Sequence, residues 1–200
     1  MLDGSTTLAT ALGSRICHDL TSPLGAIQNG LELLTLSPDV QMGPELELVQ
    51  QSAQAAVAKI RFFRLAFGQS GGDGSIASGD LAAVLAAPGG PPRLSFAEMP
   101  TDVFSRSEAQ KLCLGVLCLA TLAPTGGVIQ IDRSSQGLGM VLTPTRPIDT
   151  EDMEGLISEN RPAASEPSKI HFEMLLNLIG DTPTKGFSAQ SDGTVHLILS

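Results

Sequence analysis

Tryptophan and tyrosine are absent from this chain of 200 residues, and phenylalanine occurs only seven times. Platforms for stacking bases are therefore scarce. The side chains that would neutralise phosphates are outnumbered as well: 12 Lys and Arg stand against 21 Asp and Glu, a formal net charge of -9 with a pI near 4.7. Nucleic-acid binding draws on both terms, so no nucleic acid is expected as a partner. Long apolar runs are missing too. The longest, Leu112 to Ala123, is about 12 residues, short of the roughly 20 that a membrane-spanning helix needs. Met1-Leu2-Asp3-Gly4-Ser5 has no basic stretch leading into an apolar one, as a secretory signal would. The expectation is a cytoplasmic protein with no membrane attachment. Cysteine is sparse: Cys17, Cys113 and Cys118 form an odd set without C-x-x-C spacing, which fits reduced thiols rather than disulfides or a zinc site. All three read as packing residues.

What is present is periodicity. From Ser5 to Leu36 the chain reads as one long amphipathic helix, stopped by Ser37-Pro38-Asp39. At about 100° per residue, Leu12, Ile16, Leu20, Leu24, Ile27, Leu31 and Leu34 fall within a sector of roughly 120°. A second helix begins at Pro44, a residue suited to a first helical turn, and places Leu46, Val49, Ala53, Ala56, Val57, Ile60, Phe63 and Phe67 on one face. The short connection makes the pair an antiparallel hairpin. A lone hairpin leaves its apolar stripes half covered, so a homodimer, as a four-helix bundle, is predicted. Gln69 to Ser75 is polar and glycine-rich, like a linker.

Beyond it the pattern changes to mixed helix and strand. The sequence predicts a short helix near Asp80 to Ala86, a Pro/Gly loop from Pro88 to Pro92 and a strand near Arg93 to Ala97. A helix opens at the capping-box spacing of Ser105 and Glu108 and ends before Pro124. A hairpin of Gly127 to Asp132 with Leu138 to Thr143 follows, then helices over Asp149 to Ser158 and Ser168 to Gly180. A hairpin of Gly186 to Gln190 with Thr194 to Leu199 closes the chain around Asp192-Gly193. The fold class is thus α+β: residues 1–69 a helical hairpin, 70–79 a linker, and 80–200 a helix layer against a small sheet.

Within the first helix, His18 lies about 180° from the centre of the apolar stripe. It faces solvent or a visiting molecule, and a largely neutral imidazole is a good nucleophile. With the loop centred near residue 40, equal helical rise sets residue i beside residue 80 minus i, so His18 is level with Phe62. Lys59, Arg61 and Arg64 lie at that level, and Arg15 is one turn before the histidine, a basic collar suited to an anion such as phosphate. The remainder of the histidine face is small or polar: Ser22, Gly25, Asn29 and, further round, Thr21 and Glu32. A helical glycine costs about 1 kcal/mol relative to alanine, and close approach of another protein would account for Gly25. Pro23 bends the helix just after His18. Asp19 is placed to accept from one ring nitrogen and leave the other free to attack.

Arg15-Ile16-Cys17-His18-Asp19-Leu20-Thr21-Ser22-Pro23, followed by Ala26 to Leu34, resembles the phosphoacceptor helix of the ChpT-type histidine phosphotransferases of alphaproteobacteria. It is more loosely similar to the His-Asp/Glu-x-x-x-Pro box of sensor histidine kinases, and Arg64-Leu65-Ala66-Phe67-Gly68 resembles the end of the family's second helix. The resemblance covers about residues 10 to 70 closely and the remainder only in topology. It implies a dimeric four-helix bundle and a C-terminal α/β sandwich like a degenerate histidine-kinase ATPase domain that no longer binds ATP. It further implies His18 as phosphoacceptor and Asp19 as its orienting neighbour, with Ser22 where related kinases hold Thr or Asn used in phosphatase chemistry. The implied partners are receiver domains of a hybrid kinase and of response regulators governing the cell cycle. No cofactor of the protein's own is implied, the Mg²⁺ coming from the receiver.

The C-terminal half reads the same way. A working kinase domain carries an Asn-bearing helix and an Asp-x-Gly-x-Gly loop, whereas Glu108 to Gly115 holds no asparagine and Gly137-Leu138-Gly139 lacks a preceding acid. His171 and His196 have no partners at metal-ligand spacing and read as structural. Two rival readings remain: an ATP-dependent histidine kinase core, and a non-catalytic receiver-binding adaptor.

Overall fold

The computed structural model describes residues 13, 21, 24–25, 27–36, 43–68, 74–96, 103–134, 137–148, 170–180 and 186–199. The chain divides into two compact units, with the boundary between Gln69 and Ser70.

The first unit is helical. Residues 13, 21, 24 and 25 are helical, and 27–36 form the described length of α1. The second helix, α2 (Pro44–Phe67), starts where the sequence places it: Gly43 is extended, proline fills the first turn, and the Gly68 amide closes the far end on the Arg64 carbonyl at 3.1 Å. The hairpin register is visible where a Cβ built on Gly13 would lie 3.6 Å from the Phe67 Cβ, the pairing expected of residue i beside 80 minus i. Leu31, Ala53 and Val57 are buried.

Besides the expected stripe, left partly exposed in a single chain, α2 buries a second face. Val49 is 51% exposed and Phe63 39%, whereas Phe62, Leu65 and Ala66, outside the stripe, are buried. At 100° per residue Phe62 and Ala66 project roughly 140° and 180° from Val57. The C-terminal half of α2 is therefore apolar on two faces, and a single-face reading of its periodicity finds only one.

The second unit has two sheets. A two-stranded antiparallel sheet pairs β1 (Ser75–Ala77) with β3 (Val103–Ser105), Ile76 opposite Phe104. A five-stranded sheet has the order β2-β4-β5-β7-β6, built from β2 (Arg93–Phe96), β4 (Gly127–Ser134), β5 (Gly137–Pro144), β6 (Gly186–Ala189) and β7 (Val195–Ile198). Only β2 and β4 run parallel. The helices are α3 (Ser78–Leu85), α4 (Arg106–Leu122) and α5 (Ile170–Ile179), with α4 packed against both others.

Period-two alternation decides which sheet face meets the helices. Ile129, Ile131, Leu138, Met140, Leu142 and Leu197 are buried, while Val128, Gln130 and Asp132 between them are exposed. The central helix α4 is apolar nearly all round, with Leu112, Cys113, Leu114, Cys118 and Leu119 fully buried. Its start is fixed by a complete capping box: the Ser105 hydroxyl accepts the Glu108 amide at 3.2 Å, and the Ser105 amide donates to Glu108 Oε2 at 2.8 Å. Arg133 of β4 donates to Glu108 Oε1 at 3.0 Å and lies 4.6 Å over the Phe104 ring, tying the two sheets to the helix start. Burial would raise the Glu108 pKa, but the Ser105 amide and hydroxyl and the Arg133 guanidinium outweigh it and hold the carboxyl below its ordinary value.

Gly127 opens β4 with φ 153, and a Cβ there would stand 2.5 Å from the Thr143 carbonyl oxygen, so the strand pair closes only around glycine. The mixed α+β organisation, the capping box and both hairpins agree with the sequence. The β4–β5 strands are longer than expected, and Gly137-Leu138-Gly139 lies within β5 opposite Ser134, Arg133 and Asp132. Two strands were not anticipated. β1, together with the first two residues of α3, falls in the stretch read as a linker, and there Ile76 is paired with the buried Phe104. The helix expected over Asp149 to Ser158 lies outside the described residues.

Candidate functional site

Of the predicted site residues, Arg15, His18, Asp19 and Ser22 lie outside the described residues, as does Cys17. Thr21, Gly25, Asn29, Lys59, Arg61 and Arg64 are described, all in the helical unit. Thr21, Gly25 and Asn29 follow at i, i+4 and i+8, which keeps them within about 80° of one another on a helix. The first two are half-buried and Asn29 is exposed.

Among the described residues nothing stands within 4 Å of a Cβ built on Gly25. Its helical conformation does not need glycine, and none of the described residues needs the space. The roughly 1 kcal/mol of helix propensity forgone there has no account among the described residues. Around it α1 is held by ordinary local bonds: Gln28 Nε2 donates to Glu32 Oε1 at 3.2 Å, and Thr35 Oγ1 donates to the Glu32 carbonyl at 2.7 Å.

Lys59, Arg61 and Arg64 are all exposed on α2. Helical geometry separates them: Arg61 and Arg64 are about 60° apart, while Lys59 lies about 160° from Arg61. Two guanidinium groups therefore share one side of α2 and the ammonium group projects from another. Apolar side chains also reach solvent in this unit. Ile27 is 50% exposed and Leu34 45%, on the part of α1 adjacent to buried Leu31. On α2 the exposed Phe63 stacks on half-buried Phe67, ring centroids 6.0 Å apart.

The second unit contributes no predicted site residue. A surface pocket of about 340 Å³ opens between α3, the Pro88–Pro92 loop and α4, lined by apolar groups such as Leu85, Leu94, Phe96 and Val116, with Arg93 its charged member. A second, of about 210 Å³, lies over β5 and β7 between Asp132, Gly139 and His196. Among the described residues no group of three or more His, Cys, Asp or Glu side chains is arranged to hold a metal ion. No helix among them is long and apolar enough to cross a membrane. Cys113 and Cys118 are buried free thiols, and burial pushes both pKa values up. His171, read from sequence only as structural, has a defined partner in Thr121 of α4. No sequence pattern links positions 50 residues apart, so that pairing is a product of the fold.

No protein-family model matches the chain. Over 74 residues it is 46% identical to the protein phosphotransferase ChpT of Brucella abortus (strain 2308), a match covering 36% of this chain and 34% of that relative. The likeness thus spans about a third of the relative's length. A solved structure of a bacterial phosphotransferase matches 98% of this chain and 96% of its own, with a TM-score of 0.60 and 22% identity, a likeness of fold. In the matched stretch the chain is therefore similar in sequence to a ChpT-type phosphotransferase, and along nearly all of its length it has the fold of a bacterial phosphotransferase.

Proposed function

We propose that the chain is a histidine phosphotransferase, carrying a phosphoryl group on His18 between the receiver aspartate of a hybrid histidine kinase and the receiver aspartate of a response regulator. The observation that carries this reading is the 46% identity over 74 residues to a protein phosphotransferase. It is supported by the Gly13–Phe67 register of the helical unit, by the exposed Arg61 and Arg64 and by the space that no described residue fills at Gly25.

In the forward step an unprotonated imidazole nitrogen of His18 attacks the phosphorus of a receiver's aspartyl phosphate. The N–P bond forms as the P–O bond to the aspartate breaks, and the carboxylate leaves with its electron pair. The reverse step delivers the phosphoryl group to the next receiver by the same geometry. Asp19 orients the ring, while Arg15, Arg61 and Arg64 offset negative charge spread over the transferring group. Mg²⁺ is supplied by the receiver, where it neutralises phosphoryl oxygens. Thr21, Gly25 and Asn29 form the surface on which the receiver helix approaches, with Lys59 and Ser22 flanking it.

The working form is a homodimer. The exposed Ile27, Leu34, Val49 and Phe63 are apolar groups that a second hairpin would cover in a four-helix bundle. The mixed unit is a degenerate kinase ATPase-like domain, and the protein acts in the cytoplasm.

The test is transfer from a phosphorylated receiver to the purified chain, with the modified residue mapped. Acid-labile, base-stable label on His18, abolished in His18→Ala with receiver binding retained, is the expected result. Label acquired from ATP alone would favour the kinase core instead, and transfer unchanged in His18→Ala would favour the adaptor.

A further inference from the structure

We infer that His171 is an acid-released clasp between α5 and α4: a neutral ring that carries its proton on Nε2, and whose second protonation, on Nδ1, frees α5 from its seat.

The proton's position follows from a chain of three groups. Thr121 Oγ1 lies 2.9 Å from the Leu117 carbonyl, which can only accept, so the single hydroxyl proton is donated there. The same oxygen lies 3.1 Å from His171 Nε2. Having no second proton, it accepts at that contact, and the ring's N–H is on Nε2. In a neutral imidazole Nδ1 is then bare.

The surroundings make a charged ring costly. His171 is only 8% exposed and opens a helix whose Phe172, Met174, Leu175 and Ile179 are also buried. The Phe172 ring lies 4.8 Å from the imidazole and 6.0 Å from Phe187 of β6, so one side of the clasp is aromatic. Among the described residues, the elements packed around it offer little compensation. On α4 stand Arg106, Glu108, Lys111 and the thiols Cys113 and Cys118, which burial keeps neutral; on α5 stands Glu173; β6 has no charged residue. Lys111 is directed to the Leu199 carbonyl and Glu108 to Ser105 and Arg133. Desolvation accordingly lowers the His171 pKa to about 4.

The sign follows from linkage. A base whose folded pKa is depressed binds its proton better when released, so opening is resisted fully above the ordinary value of 6.5 and progressively less as pH falls from there toward about 4. The same relation puts the rise in α5 opening between pH 7 and pH 5 on the order of 20-fold.

Hydrogen exchange on the full-length chain, corrected for the intrinsic pH dependence of amide exchange, tests this. The expected result is about a 20-fold rise in α5 opening at pH 5 with β5 unchanged. In His171→Gln, which keeps an N–H donor for Thr121 and does not titrate, the rise should vanish. Thr121→Val, which removes the acceptor, should open α5 at pH 7. Imidazole nitrogen NMR at pH 7 should place the proton on Nε2. Equal α5 opening at both pH values in the unmodified chain, the same rise in His171→Gln, no effect of Thr121→Val, or a proton on Nδ1 would each overturn the proposal.

Discussion

Gly25→Ala separates what the helix prefers from what a docking partner requires. The position is helical and half-buried, and none of the described residues lies within 4 Å of the added Cβ. Within the chain, the substitution therefore restores helix propensity without a clash, a gain of about 1 kcal/mol. For a helical unit of this size that corresponds to a rise in melting temperature of about 4–8 °C. If a receiver backbone approaches the helix here, the methyl group instead intrudes on a close contact, and overpacking of that kind costs about 1–3 kcal/mol. Phosphotransfer efficiency should then fall by roughly 5- to 150-fold at about 1.4 kcal/mol per decade. Thermal melting followed by circular dichroism, paired with single-turnover transfer from a phosphorylated receiver, reads both effects on one variant. A lower melting temperature would show that the space is not open. A higher one with transfer untouched would refute Gly25 as a docking position.

Other expectations follow from the same geometry. Arg61→Gln and Arg64→Gln should each slow transfer about 10-fold at low ionic strength, a difference that shrinks as salt screens exposed charge; stopped-flow rates across a salt series check it. Phe63→Asp, at an exposed position, should leave the helix content intact and shift the chain to monomer by analytical ultracentrifugation. Ser105→Ala removes the cap of α4 and should cost about 1 kcal/mol in urea unfolding. The depressed pKa of Glu108 contributes stability above its ordinary range and loses it as pH falls through the folded value, and Ser105→Ala should flatten that slope. Gly127→Ala forces a Cβ against the Thr143 carbonyl oxygen and should cost more than Ser105→Ala in the same measurement, with an equal or smaller cost counting against the strand geometry.

Local rules and tertiary rules acted on different parts of this chain. Pro44, Gly68, Ser105 with Glu108, and Asp192-Gly193 act over a few residues, and each delimits the element that the structure shows. The hairpin of Gly127 to Asp132 with Leu138 to Thr143 was legible for the same reason: side-chain direction in a strand is set by the backbone. The candidate site came from a contrast within one helix, a histidine opposite an apolar stripe, and its central residue lies outside the described residues.

Other features depended on partners distant in sequence. The strand Ser75–Ala77 is too short for a pattern of its own and exists through Val103–Ser105. The parallel pairing of Arg93–Phe96 with β4 was invisible in either segment alone. Phe62, Leu65 and Ala66 lie off the stripe that periodicity selected, and their burial is decided by surfaces outside α2 itself. His171 and Thr121, 50 residues apart, meet only because α4 and α5 pack together. The sequence by itself determined where most of the described elements begin and end, since caps, turns and periodicity are short-range. Only the tertiary structure decided which strands pair, which second face is buried and which histidine loses its water, since those depend on surfaces brought together from distant parts of the chain.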